Sequence, residues 1–139
     1  MKKTICLCFM LLGILLITGC NDSKESVSFT GESDDWTVEL TVESAESVGS
    51  YLHEIEMNVK PIGDDYSFEA TDTFSYHLEM SELGISKQAE DFEVTVDVRA
   101  YHITDSFTTE QPFNASQSIQ LTLTWQDRTD TIDLTPITE

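Results

Sequence analysis

Apolar and polar residues alternate with a period of two over most of the chain. Trp36, Val38, Leu40 and Val42 share one parity, and Thr37, Glu39, Thr41 and Glu43 take the other. This is the pattern of a strand with one buried and one wet face. It returns at Ile55, Met57 and Val59, at Phe74, Tyr76, Leu78 and Met80, at Phe92, Val94, Val96 and Val98, and at Ile119, Leu121, Leu123 and Trp125, with Ile132 and Leu134 closing the series. Shorter strands are expected around Val27 to Phe29 and Tyr66 to Ala70, for a total of seven or eight. Turn-forming residues separate them at Gly49-Ser50, Pro61 through Asp65, Gly84 and Gln126 through Thr129.

Ser81 to Asp91 is expected to make one short helical turn, and no stretch of ten or more residues carries a 3.6-residue apolar stripe. Parallel strands need long crossovers, commonly helical, so antiparallel pairing follows. Many short strands, each wet on one side, pack well as two sheets face to face. The expected fold is therefore an all-β, antiparallel two-sheet β-sandwich of immunoglobulin-like type, with a small β-barrel as the alternative.

The first twenty residues follow a different rule. Lys2 and Lys3 precede an apolar run from Ile5 to Ile17 of roughly 13 residues, the order of an export signal. A bilayer-spanning helix needs about 20, so a permanent span is not expected. The run ends Ile17-Thr18-Gly19-Cys20, which resembles the lipobox of bacterial lipoproteins. That resemblance implies cleavage between Gly19 and Cys20, a diacylglyceryl group on the Cys20 thiol, and a location on the extracytoplasmic face of the cell membrane. Small residues at 18 and 19 suit a peptidase cleft, and Ala-x-Ala spacing of an ordinary secretory signal is missing. Two acyl chains hold a protein stably at a bilayer where one does so marginally. The chain thus divides into a signal peptide (1–19), a lipidated linker (20–26) and one β-sandwich domain (27–139).

Cleavage changes both the cysteine count and the charge. Cys6 and Cys8 lie in the removed segment, leaving Cys20 alone among three cysteines, so no disulfide and no cysteine-based metal site is expected. The precursor has 7 basic and 26 acidic side chains; losing Lys2 and Lys3 leaves 5 against 26, a net charge of −21. Such a surface repels phosphate backbones and anionic lipid heads, which argues against nucleic acid as a partner and is expected to stand the body off from the membrane. The acids are spread along the chain, as a solvated surface requires.

Phe29-Thr30-Gly31-Glu32-Ser33-Asp34-Asp35-Trp36 is similar to a segment near the mature N-terminus of small uncharacterised lipoproteins of Bacillus and related Gram-positive bacteria, where it reads Gly-Glu-Ser, two polar residues and Trp. The similarity extends loosely to the final hairpin, Trp125 through Leu134, and implies no activity that could be transferred. By its position Trp36 reads as a core residue at the head of its strand, with Glu32 and Ser33 forming the bend before it.

Few residues suggest chemistry. His53, His77 and His102 fall in separate expected strands without His-x-x-x-His spacing. By parity His53 joins Tyr51 and Ile55 inside, whereas His77 and Tyr101 alternate with buried positions. Asp34-Asp35, Asp64-Asp65, Glu90-Asp91, Asp127 and Asp130 could offer oxygen ligands to calcium, but none fits an Asp-x-Asp-x-Asp-Gly loop. No nucleophile elbow, phosphate-binding glycine loop or His-Glu-x-x-His helix occurs, and Asn114-Ala115-Ser116 matches a glycosylation sequon. No catalytic or metal residue is assigned, and no cofactor is implied. The expected function is a non-enzymatic, membrane-anchored binding or interaction module at the cell envelope, touching the bilayer through acylated Cys20 and meeting its partner with a sheet face or with loops such as Asp105 to Ala115. A calcium or transition-metal binder is the alternative, and an envelope hydrolase without a recognisable motif the third.

Overall fold

The computed structural model describes residues 24–63, 73–93 and 100–138. The expected lipobox at Ile17 to Cys20, the expected strand at Tyr66 to Ala70, the alternating Val94, Val96 and Val98, and the Asp64-Asp65 pair lie outside them. Among the described residues there are eight strands: β1 (Glu25–Glu32), β2 (Trp36–Ser47), β3 (Ser50–Pro61), β4 (Thr73–Met80), β5 (Ile85–Glu93), β6 (Tyr101–Thr109), β7 (Ile119–Trp125) and β8 (Arg128–Pro136). β1 takes in two residues assigned above to the linker.

All neighbours pair antiparallel in the order β5-β4-β7-β8-β1-β2-β3-β6. The two halves expected to be separate sheets are therefore joined, and the single sheet curls into a half-barrel. The barrel-like alternative fits. The joint is narrow: β1 meets β8 only at Phe29 opposite Pro136 and Thr30 opposite Thr135, with Ile137 N–H donating to the Ser28 carbonyl just beyond (2.8 Å).

Gly31 explains how β1 leaves β8 at this joint. A Cβ there would come 2.7 Å from Ile132 Cγ2, 2.7 Å from Leu134 Cδ2 and 2.9 Å from the Asp133 carbonyl oxygen. Only a residue without a side chain allows this approach.

The concave face holds the core. Along β2, Trp36, Val38, Leu40 and Val42 are buried, as are Ile55, Met57 and Val59 of β3 and Ile119, Leu121, Leu123 and Trp125 of β7. At one end Trp36 packs edge-on against Phe74 (centroids 5.7 Å apart) and Trp125 (6.0 Å), while Phe74 stacks on Tyr101 at 4.6 Å. These rings come from β2, β4, β6 and β7, so the two halves of the sheet face each other across them. At the opposite end Phe113, from the 110–118 connection, packs on Phe29 (5.8 Å) and His53 (5.9 Å).

The one short helical turn expected within Ser81–Asp91 is the 3-10 turn Ser81–Leu83, closed by Gly84 at φ 64°; β5 follows directly. Two expectations are corrected. Tyr101 points inward and is 6% exposed, because β6 begins with its inward position there and His102 takes the outward one. Asp105 to Ala115 is not one irregular stretch, since β6 runs to Thr109.

The outermost strands, β5 and β6, curl toward each other. Lys87, between the half-buried Ile85 and Ala89, reaches across: its ammonium lies 3.3 Å from Asp105 Oδ1 and donates to the Ser106 carbonyl at 2.6 Å. An inward-pointing charge on an edge strand discourages pairing with other chains, and here it also fastens one edge to the other.

Candidate functional site

The segment carrying the lipoprotein resemblance forms a bend. Ser33 N–H donates to the Trp36 carbonyl (2.8 Å). The Ser33 hydroxyl oxygen accepts from the Asp35 and Trp36 amides (3.3 and 3.1 Å), and the hydroxyl donates to Asp130 Oδ2 at 3.2 Å. Arg128 donates to the Asp35 carboxylate, and the Asp35 carbonyl accepts from Ile62 N–H at 2.8 Å. With Gly31 against Ile132 and Leu134, and Trp36 against Trp125, the two segments of similarity meet at one end of the barrel. The Gly-Glu-Ser-x-x-Trp residues thus fold this corner: glycine for close approach, serine to satisfy amides in the bend, tryptophan for the core. Four of the acids singled out above as cation ligands, Asp34, Asp35, Asp127 and Asp130, lie in this region, and two of them, Asp35 and Asp130, have partners within the chain.

At the other end a buried polar chain runs from β2 to the 110–118 connection. Ser44 Oγ lies 2.8 Å from His53 Nδ1, and His53 Nε2 lies 2.7 Å from Thr109 Oγ1. The Thr109 hydroxyl donates to the Gln111 carbonyl, so its oxygen accepts from Nε2–H. Nδ1 must then be unprotonated and accept from Ser44, which assigns the neutral Nε2–H tautomer from the network. Burial pushes the His53 pKa below its ordinary value, and a hydrogen bond to the Gln111 carbonyl partly opposes this.

A serine hydroxyl on an imidazole is the arrangement of an activated nucleophile. Here Ser44 is 6% and His53 0% exposed, leaving a substrate no approach to the hydroxyl. The chain's effect is to tie β2, β3, β6 and the connection together. His53 itself follows from parity. Ser44 and Thr109 were missed, although Ser44 continues the inward parity of Val38, Leu40 and Val42, the one signal that could have flagged it.

The other histidines stand apart from it on the outer face. His77 Nε2 is 2.7 Å from the Ser86 hydroxyl, and His102 Nδ1 is 3.0 Å from Asn58 Oδ1 and 3.8 Å from Glu56. Among the described residues no group of three His, Cys, Asp or Glu side chains could hold a metal ion. Met57 and Met80 are fully buried core residues. Asn114 serves its own turn, its Oδ1 accepting from Ser116 N–H at 2.9 Å.

The outer face of β2, β3 and β6 carries a groove of about 470 Å³ lined by Glu43, Glu54, Glu56, Thr104 and Ser106 among others. Glu43 and Glu54 are direct cross-strand neighbours, a destabilising like-charge pair. Lys24 answers it, with Nζ 3.0 Å from Glu54 and 3.3 Å from Glu43. Hydrogen bonds to Glu54 and then Glu43 hold its ammonium pKa above the usual lysine value. Cys20 and Gly19 lie outside the described residues, but Lys24, four positions on, marks where the chain from them joins the sheet. Among the described residues no helix is long and apolar enough to cross a membrane.

In comparisons with protein-family models, curated proteins and solved structures, nothing matches this chain.

Proposed function

We propose that the chain is a membrane-anchored extracytoplasmic lipoprotein, cut after Gly19 and lipidated on Cys20, whose half-barrel is a non-enzymatic binding or interaction module at the cell envelope. The observation that carries this reading is the run Ile17-Thr18-Gly19-Cys20 at the end of a short apolar segment, with β1 starting five residues later at Glu25. A domain held through its first strand stands on one end. The end opposite Lys24, with the bend at Ser33–Asp35 and the hairpin turn at Gln126-Asp127, then faces away from the bilayer and is free to meet a partner. A core closed by two aromatic clusters, with the Ser44–His53 pair sealed from solvent, supports binding over catalysis.

Replacing Cys20 with Ala tests the anchor. The variant is expected to be released to the medium or to keep its signal, and intact mass should show the acyl groups on the parent only. Membrane retention and mass unchanged by Cys20→Ala would overturn the assignment.

A further inference from the structure

The large apolar side chains exposed on the described residues are Val48, Leu52, Ile62 and Ile137. All but Ile62 sit at the end where β1 begins. Ile137 follows β8 beside Ser28, Leu52 lies two residues into the β3 arm, and Val48, fully exposed, is at the tip of the β2–β3 hairpin.

This hairpin overhangs β1 by three rungs and β6 by one. The first rung of β1 is Glu25 opposite Ser44. β2 and β3 continue past it through Ala45–Leu52, Glu46–Tyr51 and Ser47–Ser50, and β6 ends opposite Tyr51. Three rungs at about 3.3 Å each carry the tip about 10 Å beyond the start of β1. Gly49 turns the chain at φ 76°, with no atom within 4 Å of where its Cβ would be, so the tip stands clear of the body.

The tether has a similar reach. From Cys20 to Lys24 the chain can extend no more than about 14 Å, and Lys24 is fixed to Glu43 on β2 and Glu54 on β3, the two arms of the hairpin. A bilayer holding Cys20 therefore lies within range of the tip. We propose that the β2–β3 hairpin is a lipid-contacting finger, which places Val48, backed by Leu52, in the bilayer interface beside the anchor. The inference rests on the lipoprotein reading above. One valine could not hold a domain of this charge at a membrane, but a covalently tethered tip meets the surface at high effective concentration, so a weak contact suffices. Glu25, Glu46 and Glu110, exposed at the same end, limit the contact to the tip and favour lipid without net charge.

The mature chain has Cys20 as its one cysteine, so Val48→Cys and, at the far end, Ile62→Cys each add a single free thiol to the lipidated protein. Each is labelled with an environment-sensitive fluorophore and placed in phosphatidylcholine vesicles. The probe at 48 should shift to the blue and be quenched by spin-labelled lipid, while the probe at 62 stays open to aqueous iodide. If the protein is lipidated and vesicle-bound but both probes are equally open to iodide, the finger is refuted and the anchor stands. Burial of the probe at 48 that follows protein concentration and ignores the lipid quencher assigns the tip to a second copy and also refutes it. A protein without acyl mass on Cys20 that stays off the vesicles overturns the anchor reading and the finger with it.

Discussion

Replacing Gly31 with Ala puts a methyl group where the structure has no room. The new carbon would meet two side-chain carbons at 2.7 Å and the Asp133 carbonyl oxygen at 2.9 Å, all inside normal van der Waals separation. Ile132 and Leu134 are buried and cannot swing away, and the Asp133 backbone is fixed by its place opposite Gln120 in β7. Overpacking of this kind costs about 1–3 kcal/mol. Reduced freedom of the unfolded chain returns roughly 0.4–1 kcal/mol, leaving a net loss of about 1–2 kcal/mol. Thermal unfolding followed by near-ultraviolet circular dichroism should show a midpoint lower by about 4–16 °C, at roughly 4–8 °C per kcal/mol. Leu134→Ala removes one of the clashing atoms, so the double variant should be less destabilised than the sum of the singles, by about 0.5 kcal/mol or more. A Gly31→Ala protein as stable as the parent would show that β1 does not leave β8 by this close approach, and the account of the joint would fail.

Two further measurements probe the remaining polar features. His53 has its folded pKa lowered by burial, so the unfolded chain takes up a proton first as pH falls. Its contribution to stability is complete above the unfolded value of about 6.5 and is lost as pH drops through the lower folded value, with a slope of at most about 1.4 kcal/mol per pH unit. Between pH 7.5 and 5 the urea midpoint of the parent should fall more steeply than that of His53→Gln, and parallel slopes would exclude His53 as the group responsible. At the seam, Lys87→Met should cost about 1 kcal/mol, since the pair is partly exposed and screened. It should also raise self-association through the uncovered β5 and β6 edges, and a monomer of unchanged stability by sedimentation and melting would show that the lysine fastens nothing.

Legibility in the sequence follows what each strand places inside. β2, β3, β4 and β7 bury apolar residues at most inward positions, and their alternation is readable directly. β5 and β6 put Lys87 and Asp105 at inward positions to bridge the seam, which breaks the apolar rhythm that marks the other strands. Pairing of β1 with β8 depends on contacts about a hundred residues apart, which no local period reports; this is why two sheets were expected where one is found. His53 was placed by parity, whereas its partners Ser44 and Thr109 come from strands whose register becomes known only once the sheet is assembled. The bend at Glu32 and Ser33 before Trp36 was legible from the residues, but its role at the corner required seeing the last hairpin folded against it.

The seating of β1 beside β8, and of β4 beside β7, bears on how the export proposed above would proceed. A polypeptide emerging N-terminus first exposes β1, β2 and β3 early, yet β1 keeps an open flank until β8 arrives, and β4 lacks one neighbour until β7 does. Closure thus waits for nearly the whole length to pass. Distant pairing of this kind slows folding, and a slow, late-zipping chain is one that an export channel can still thread.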